Sequence, residues 1–154
     1  LPPSGGFSFG GKMSKNERSF QNYFMTLARP LNFYRTALAT GSGYPDITGF
    51  HGDNHSLVEL KDIELGPTGN KLMKQMFQKT QPPWYMEYLS KGGKRLFIAF
   101  RIRDNQDRKY YGLWHPSIFE IKELAANNLT FKDVCASEYY RQYLVCVDMI
   151  NALS

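Results

Sequence analysis

Gly41-Ser42-Gly43-Tyr44-Pro45-Asp46-Ile47-Thr48-Gly49-Phe50, followed shortly by Leu57-Val58-Glu59-Leu60-Lys61, is the stretch around which the rest of the chain is read. Successive side chains of a β-strand point to opposite faces, so residues two apart share a face. Glu59 and Lys61 therefore point one way and the apolar Val58 and Leu60 the other. The pattern predicts a strand that buries one side in a core and turns a carboxylate and an ammonium into a cleft. Asp46 adds a second carboxylate about a hairpin away. Two such acids can share one hard cation, which prefers oxygen ligands. A lysine beside them can orient or help deprotonate a water and offset charge building on a phosphate. The plainer reading places Asp46 in a turn after Pro45 and makes Glu59 and Lys61 a solvated strand face. Pro-Asp and Glu-x-Lys are common, so the surroundings must decide.

A chain of 154 residues is long enough for one domain with a real core. It holds 19 lysines and arginines against 14 acids, a formal charge of +5, with a pI near 9.2. That balance suits a polyanionic partner, because each cation that neutralises a phosphate releases counterions. No apolar run reaches the length of a membrane span, and Leu1-Pro2-Pro3-Ser4-Gly5-Gly6 lacks the basic and apolar regions of a signal peptide. The expectation is an intracellular protein with no membrane partner. Cys135 and Cys146 are too few for a disulfide framework and lack zinc spacing, so they read as buried thiols.

Residues 1–13 have the composition of a flexible arm, and residues 14–154 read as one α/β domain without repeat or linker. Ser14-Lys15-Asn16-Glu17 matches a capping box, and Phe20, Tyr23, Phe24 and Leu27 recur at helical spacing until Pro30. Glu17 is thus either half of a cap or an acid carried toward the site. Asn32–Thr40 is predicted as a first strand with Arg35 exposed, Gly41 and Gly43 as a tight loop with Ser42 as turn chemistry, Ile47–Phe50 as a second strand, and Ser56–Ile63 as a third. His51 and His55 are read as exposed residues flanking a loop tip. Lys71–Lys79 has helical composition with Lys71, Lys74 and Lys79 free to face a phosphate backbone or merely solvated. Another helix starts at Thr80-Gln81-Pro82-Pro83, packs through Trp84, Tyr85, Tyr88 and Leu89, and ends at Gly92-Gly93. Strands follow over Lys94–Arg103 and Lys109–His115. Arg101, Arg103, Arg108 and Lys109 then gather near one hairpin end, as a DNA-contacting patch or simply a soluble hairpin. A short helix is expected over Pro116–Leu124, an extended piece over Leu129–Phe131, and a last helix over Ser137–Leu153 with Tyr140, Leu144, Val147 and Ile150 along one side.

In order and spacing, Pro45-Asp46 and Glu59-Leu60-Lys61 resemble the motif of the PD-(D/E)XK nuclease superfamily. Asn16-Glu17-Arg18, Arg35, Ser42-Gly43, Gln81 with Trp84 and Leu89, and the Gly92-Gly93 stop look most like archaeal-type Holliday-junction resolvases and virus-repair-type nucleases. The resemblance covers roughly residues 14–103. It implies a restriction-endonuclease-like core, a central mixed β-sheet flanked by helices. It also implies that Asp46, Glu59 and Glu17 bind Mg²⁺ or Mn²⁺ with the Leu60 carbonyl, and that Lys61 assists the attacking water. Ser42 and Gln81 would hold phosphate or water, while Arg35, Lys71, Lys74, Arg101 and Arg103 would contact DNA. The chain beyond Arg103 matches no motif of this kind.

The leading expectation is a structure-selective DNA endonuclease, most specifically a Holliday-junction resolvase. A four-way junction needs paired cuts, which a two-fold homodimer supplies. A nuclease acting on flaps, ends or duplex DNA is the second reading, since the motif fixes the hydrolysis and leaves substrate geometry to loops. A non-catalytic DNA- or protein-binding module on the same fold is the third.

Overall fold

Ser14 caps the first helix of the fold. The computed structural model describes residues 13–36 and 42–154. Its first helix, α1 (Lys15–Ala28), begins where Ser14 Oγ accepts from the Glu17 amide at 3.1 Å, and it buries Phe20, Phe24, Met25 and Ala28 while Tyr23 stays exposed. Pro30 falls in a 3₁₀ turn that ends α1. The chain then runs through β1 (Phe33–Arg35), β2 (Ile47–His51), β3 (Asn54–Glu64), α2 (Gln81–Ser90), β4 (Leu96–Arg103) and β5 (Lys109–Trp114). It closes with α3 (Ile118–Ala125), α4 (Phe131–Ala136), β6 (Tyr140–Tyr143) and α5 (Cys146–Ala152).

The six strands form one sheet in sequence order, antiparallel at every step except β3–β4. That parallel step requires a crossover, and the segment containing α2 provides it across one face. On that face Tyr85 of α2, Ile121 and Leu124 of α3, and Phe131 and Val134 of α4 pack with Leu57, Ile63, Ile98, Phe100 and Trp114. On the other, α1 and α5 pack Phe20, Phe24, Met149 and Ile150 against Val58, Leu60, Phe97 and Ala99. Each such side chain contributes roughly 1.5–3 kcal/mol on leaving water. The architecture is therefore α/β, a mixed sheet between helical layers, and β3 and β4 are covered on both sides.

Several expectations change. β3 does not turn one face to an open cleft: helices cover both, and Glu59 and Lys61 are only 2% and 4% exposed. The first strand is confined to Phe33–Arg35 among the described residues: Asn32 has φ +67° and turns before it, Thr36 lies past its end, and residues 37–41, with 1–12 of the N-terminal arm, lie outside the described residues. The hairpin between β2 and β3 is tight, with His51 paired to Asn54 around Gly52 at φ +60°. His51 is consequently a half-buried strand residue whose Nε2 lies 2.8 Å from the Leu31 carbonyl. Lys71–Lys79 forms only a 3₁₀ turn at Met73–Met76, because its backbone bonds go to the 129–131 segment: Met73 N–H to Leu129 O and Phe131 N–H to Lys71 O. Residues 137–153 are a strand and a short helix. Tyr140 pairs with Trp114 and lays its ring over Gly112, and Leu144 is left 81% exposed. Cys135 is exposed; Cys146 is buried as expected.

Candidate functional site

The β2–β3 register sets Ile47 opposite Val58, so Asp46, one step before, stands opposite Glu59. Ile47 and Val58 point into the α1–α5 core, and alternation sends Asp46, Glu59 and Lys61 together toward α2. Pro45 and Gly43 shape the approach. Gly43 has φ +90°, and a Cβ there would come within 2.4 Å of the Thr80 carbonyl, so the loop before Asp46 lies directly on the start of α2. Tyr44 meets Trp84 edge-on at 4.9 Å, and Ser42 Oγ accepts from the Tyr44 amide at 3.2 Å.

Gln81, the first residue of α2, joins the two charged strand residues. Its Nε2 donates to Glu59 Oε2 at 2.8 Å, and its Oε1 accepts from Lys61 Nζ at 3.1 Å and from the Gln78 amide at 2.9 Å. Lys61 Nζ is also 3.3 Å from Glu59 Oε2 and 3.7 Å from Glu17 Oε2, and 4.7 Å above the centre of the Phe77 ring. Asp46 Oδ2 accepts from the Leu60 amide at 3.1 Å. Within this cluster two buried polar atoms are left without a hydrogen-bond partner, Glu59 Oε1 and the Tyr85 hydroxyl.

Burial pushes the Glu59 carboxyl well above the ordinary carboxylate range, and Asp46 pushes it further by charge and hydrogen bonding, against the pull of Lys61. The Tyr85 phenol is raised too, by burial first and then by the negative charge of Glu59 and Asp46. Tyr85 read in the sequence as packing only. Nothing in a run of Trp84, Tyr85 and Tyr88 distinguishes the one that is buried near the Glu59 and Asp46 carboxyl groups.

Among the described residues no group of three or more His, Cys, Asp or Glu side chains converges to hold a metal. The donor set is smaller: Asp46 and Glu59 together, with the Glu17 carboxylate on Lys61. Glu59 and Glu17 both lie within 3.7 Å of the Lys61 ammonium, Asp46 lies beside Glu59, and Glu59 Oε1 lacks any donor. Those are properties a hard divalent cation would satisfy, and Mg²⁺ needs only one or two protein carboxylates beside its waters.

The other candidates lie apart from this cluster. Arg101 and Arg103 share Asp62, Arg101 Nε at 2.6 Å, on the sheet face opposite Glu59 and Lys61; Arg101 also donates to the Asn16 carbonyl and Arg103 approaches Glu64 at 3.6 Å. Lys74 Nζ donates to the Ala125 carbonyl at 2.9 Å, and Lys71 is half-buried where its carbonyl meets Phe131. Arg35 is exposed and bonds two amides of α1, Gln21 Oε1 and Asn22 Oδ1. No protein-family model, curated protein or solved structure matches the chain. No helix of the described residues is long and apolar enough to cross a membrane.

Proposed function

We propose that this chain is a metal-dependent nuclease of the PD-(D/E)XK kind on a restriction-endonuclease-like core, hydrolysing phosphodiesters of branched DNA, with a dimeric Holliday-junction resolvase as its most specific form. One observation carries the reading: Asp46, the Glu59–Lys61 pair and Gln81, from three separate stretches of the chain, meet in one cluster in which Glu59, Lys61 and Gln81 are buried and a Glu59 oxygen is unpartnered.

Asp46 and Glu59, with the Leu60 carbonyl and Glu17 as further ligands, would hold Mg²⁺ or Mn²⁺. When bound, such an ion supplies positive charge toward a phosphate oxygen as charge builds there. The remaining work falls to the chain. Gln81 fixes the Glu59 carboxylate through one oxygen and leaves the other free. Lys61, held by Gln81 and flanked by Glu59 and Glu17, would orient the attacking water and offset negative charge at phosphorus. Its three N–H groups suit both tasks. Glu17, placed beside Lys61 by the first turn of α1, would help to hold the Lys61 side chain in position for those tasks.

The test is cleavage of labelled four-way junction, flap, single-stranded and linear duplex DNA with Mg²⁺ or EDTA, by the native protein, Asp46→Ala and Lys61→Ala. The expected result is metal-dependent cutting reduced by about 10²- to 10⁴-fold or more in both folded variants. Paired cuts confined to the junction would establish the resolvase form. Binding without cutting under any of these conditions would overturn the nuclease reading.

A further inference from the structure

Gln81 and Tyr85 stand four residues apart in α2, so they share the face of that helix that lies on β3. Gln81 commits its amide to Glu59 and Lys61. Tyr85, one turn further on, is fully buried and brings a hydroxyl into the same cluster. Its ring is held from two sides, edge-on to Phe77 at 6.0 Å and to Trp84 at 6.3 Å, and the Phe77 face carries the Lys61 ammonium at 4.7 Å. The hydroxyl lies close enough to Glu59 and Asp46 for both carboxyl groups to act on it, yet it hydrogen-bonds to neither.

Burying a hydroxyl without a partner destabilises a fold by the desolvation of that group. The position therefore holds a group that a bound species can satisfy. A second orphan stands in the same cluster, Glu59 Oε1, which is an acceptor with no donor. A hydrated divalent cation answers both atoms. It sets a positive charge against Oε1, and it carries waters whose O–H bonds the ion has turned into strong donors for the phenol oxygen. The phenol keeps one proton to donate, and ionised carboxylates only accept. A lone water would also bridge the two atoms, but it would leave Asp46 and Glu59 side by side with their like charges unopposed.

We infer that Tyr85 is a positioning residue of the cation site: its hydroxyl accepts a hydrogen bond from a water of the ion held at Glu59 Oε1 and donates its own to the neighbouring carboxylates. The inference rests on reading Asp46 and Glu59 as holders of Mg²⁺ or Mn²⁺. It adds to that reading a neutral side chain that orders the water shell of the ion in the cluster that contains Lys61. Tyr85 and Gln81 then divide the work of one helix face, the amide fixing the carboxylate and the phenol fixing a water.

The experiment uses the full chain, native and Tyr85→Phe, which keeps the ring and removes the hydroxyl. Mn²⁺ binding is measured by calorimetry and by electron paramagnetic resonance, and urea midpoints are measured in EDTA. In EDTA the variant should unfold at the same urea concentration as the native protein or a higher one, because an unpartnered buried hydroxyl is gone. It should bind Mn²⁺ about 10- to 100-fold more weakly, the usual loss when a group that orients the ligands of a metal is removed. Glu59→Gln should also bind Mn²⁺ more weakly, which places the ion in this cluster. Native Mn²⁺ affinity in Tyr85→Phe would overturn the inference and leave the metal reading standing, with a water alone joining the two atoms. A variant that unfolds more easily in EDTA, or fails to fold, would overturn it too, since the hydroxyl would then be bonded within the protein. A native chain that binds no Mn²⁺ would remove the metal reading itself, and the inference with it.

Discussion

Glu59 is a carboxylate buried where only one of its oxygens is satisfied, by Gln81 and Lys61, and where Asp46 adds like charge. Its proton affinity in the folded protein is therefore raised above that of an unfolded glutamate, whose ordinary value is 4.5. Between that value and the raised one the folded state keeps a proton that the unfolded state releases. Without metal, stability should fall as pH rises through this window, by on the order of 1.4 kcal/mol for each unit separating the two values. Glu59→Gln, which cannot ionise, should remove that slope. Urea midpoints of both proteins in EDTA from pH 4.5 upward check this; parallel pH profiles would show that Glu59 is not the source. At this scale the strand period of two made the pairing of Glu59 with Lys61 legible, because alternation decides a face without any tertiary knowledge. Gln81 was reached only through its resemblance to a family pattern. Tyr85 was not legible at all: its role depends on the direction of a hydroxyl, and a buried tyrosine in an aromatic run has the same sequence signature whether or not it meets an acid.

Strand β3 divides its polar residues between two faces, and the second face is as charged as the first. Asp62, next to Lys61 but pointing toward α1, holds Arg101 at 2.6 Å and also Arg103, both from β4, while Arg101 reaches on to the Asn16 carbonyl of α1. This clamp ties the central parallel strand pair to the start of α1, the helix that carries Glu17. Removing the carboxylate would leave a buried guanidinium without its counter-charge. Asp62→Ala should cost about 3–5 kcal/mol, and adding Arg101→Met should recover much of it, because the desolvated charge leaves with its partner. Chemical denaturation of the two variants gives the comparison, and a loss under 1 kcal/mol in the single variant would contradict the clamp. In this region β3 was readable from its alternation and β4 from the unbroken apolar run Leu96–Phe100. The C-terminal segment was not, because Tyr140, Leu144, Val147 and Ile150 fit a helical stripe equally well. Pairing with β5 decides it, through a ring seated on Gly112, and that contact joins residues 28 apart in sequence. Lys71–Lys79 failed for the same kind of reason, since its backbone bonds go to a segment more than fifty residues away.

The molecule as a whole carries an excess of five positive charges, and the basic residues the sequence singled out divide between paired and unpaired settings among the described residues. Lys61, Arg101, Arg103 and Arg108 each sit in ion pairs, whereas Arg35 and Arg29 line a depression without an acid. The proposed DNA contact of Arg35 can then be read from salt, because only neutralised phosphates release counterions. For duplex DNA the slope of log K against log salt is about −0.9 for each phosphate neutralised. Arg35→Gln, which keeps a hydrogen-bonding side chain near Gln21 and Asn22, should make the slope for a four-way junction shallower by about 0.9. Fluorescence titrations of a labelled junction between about 50 and 200 mM salt, with EDTA present, check this. A lower affinity with an unchanged slope would show that the substitution acts through the contact between β1 and α1 and would remove Arg35 from the phosphate-binding set, because losing a packing contact releases no counterions.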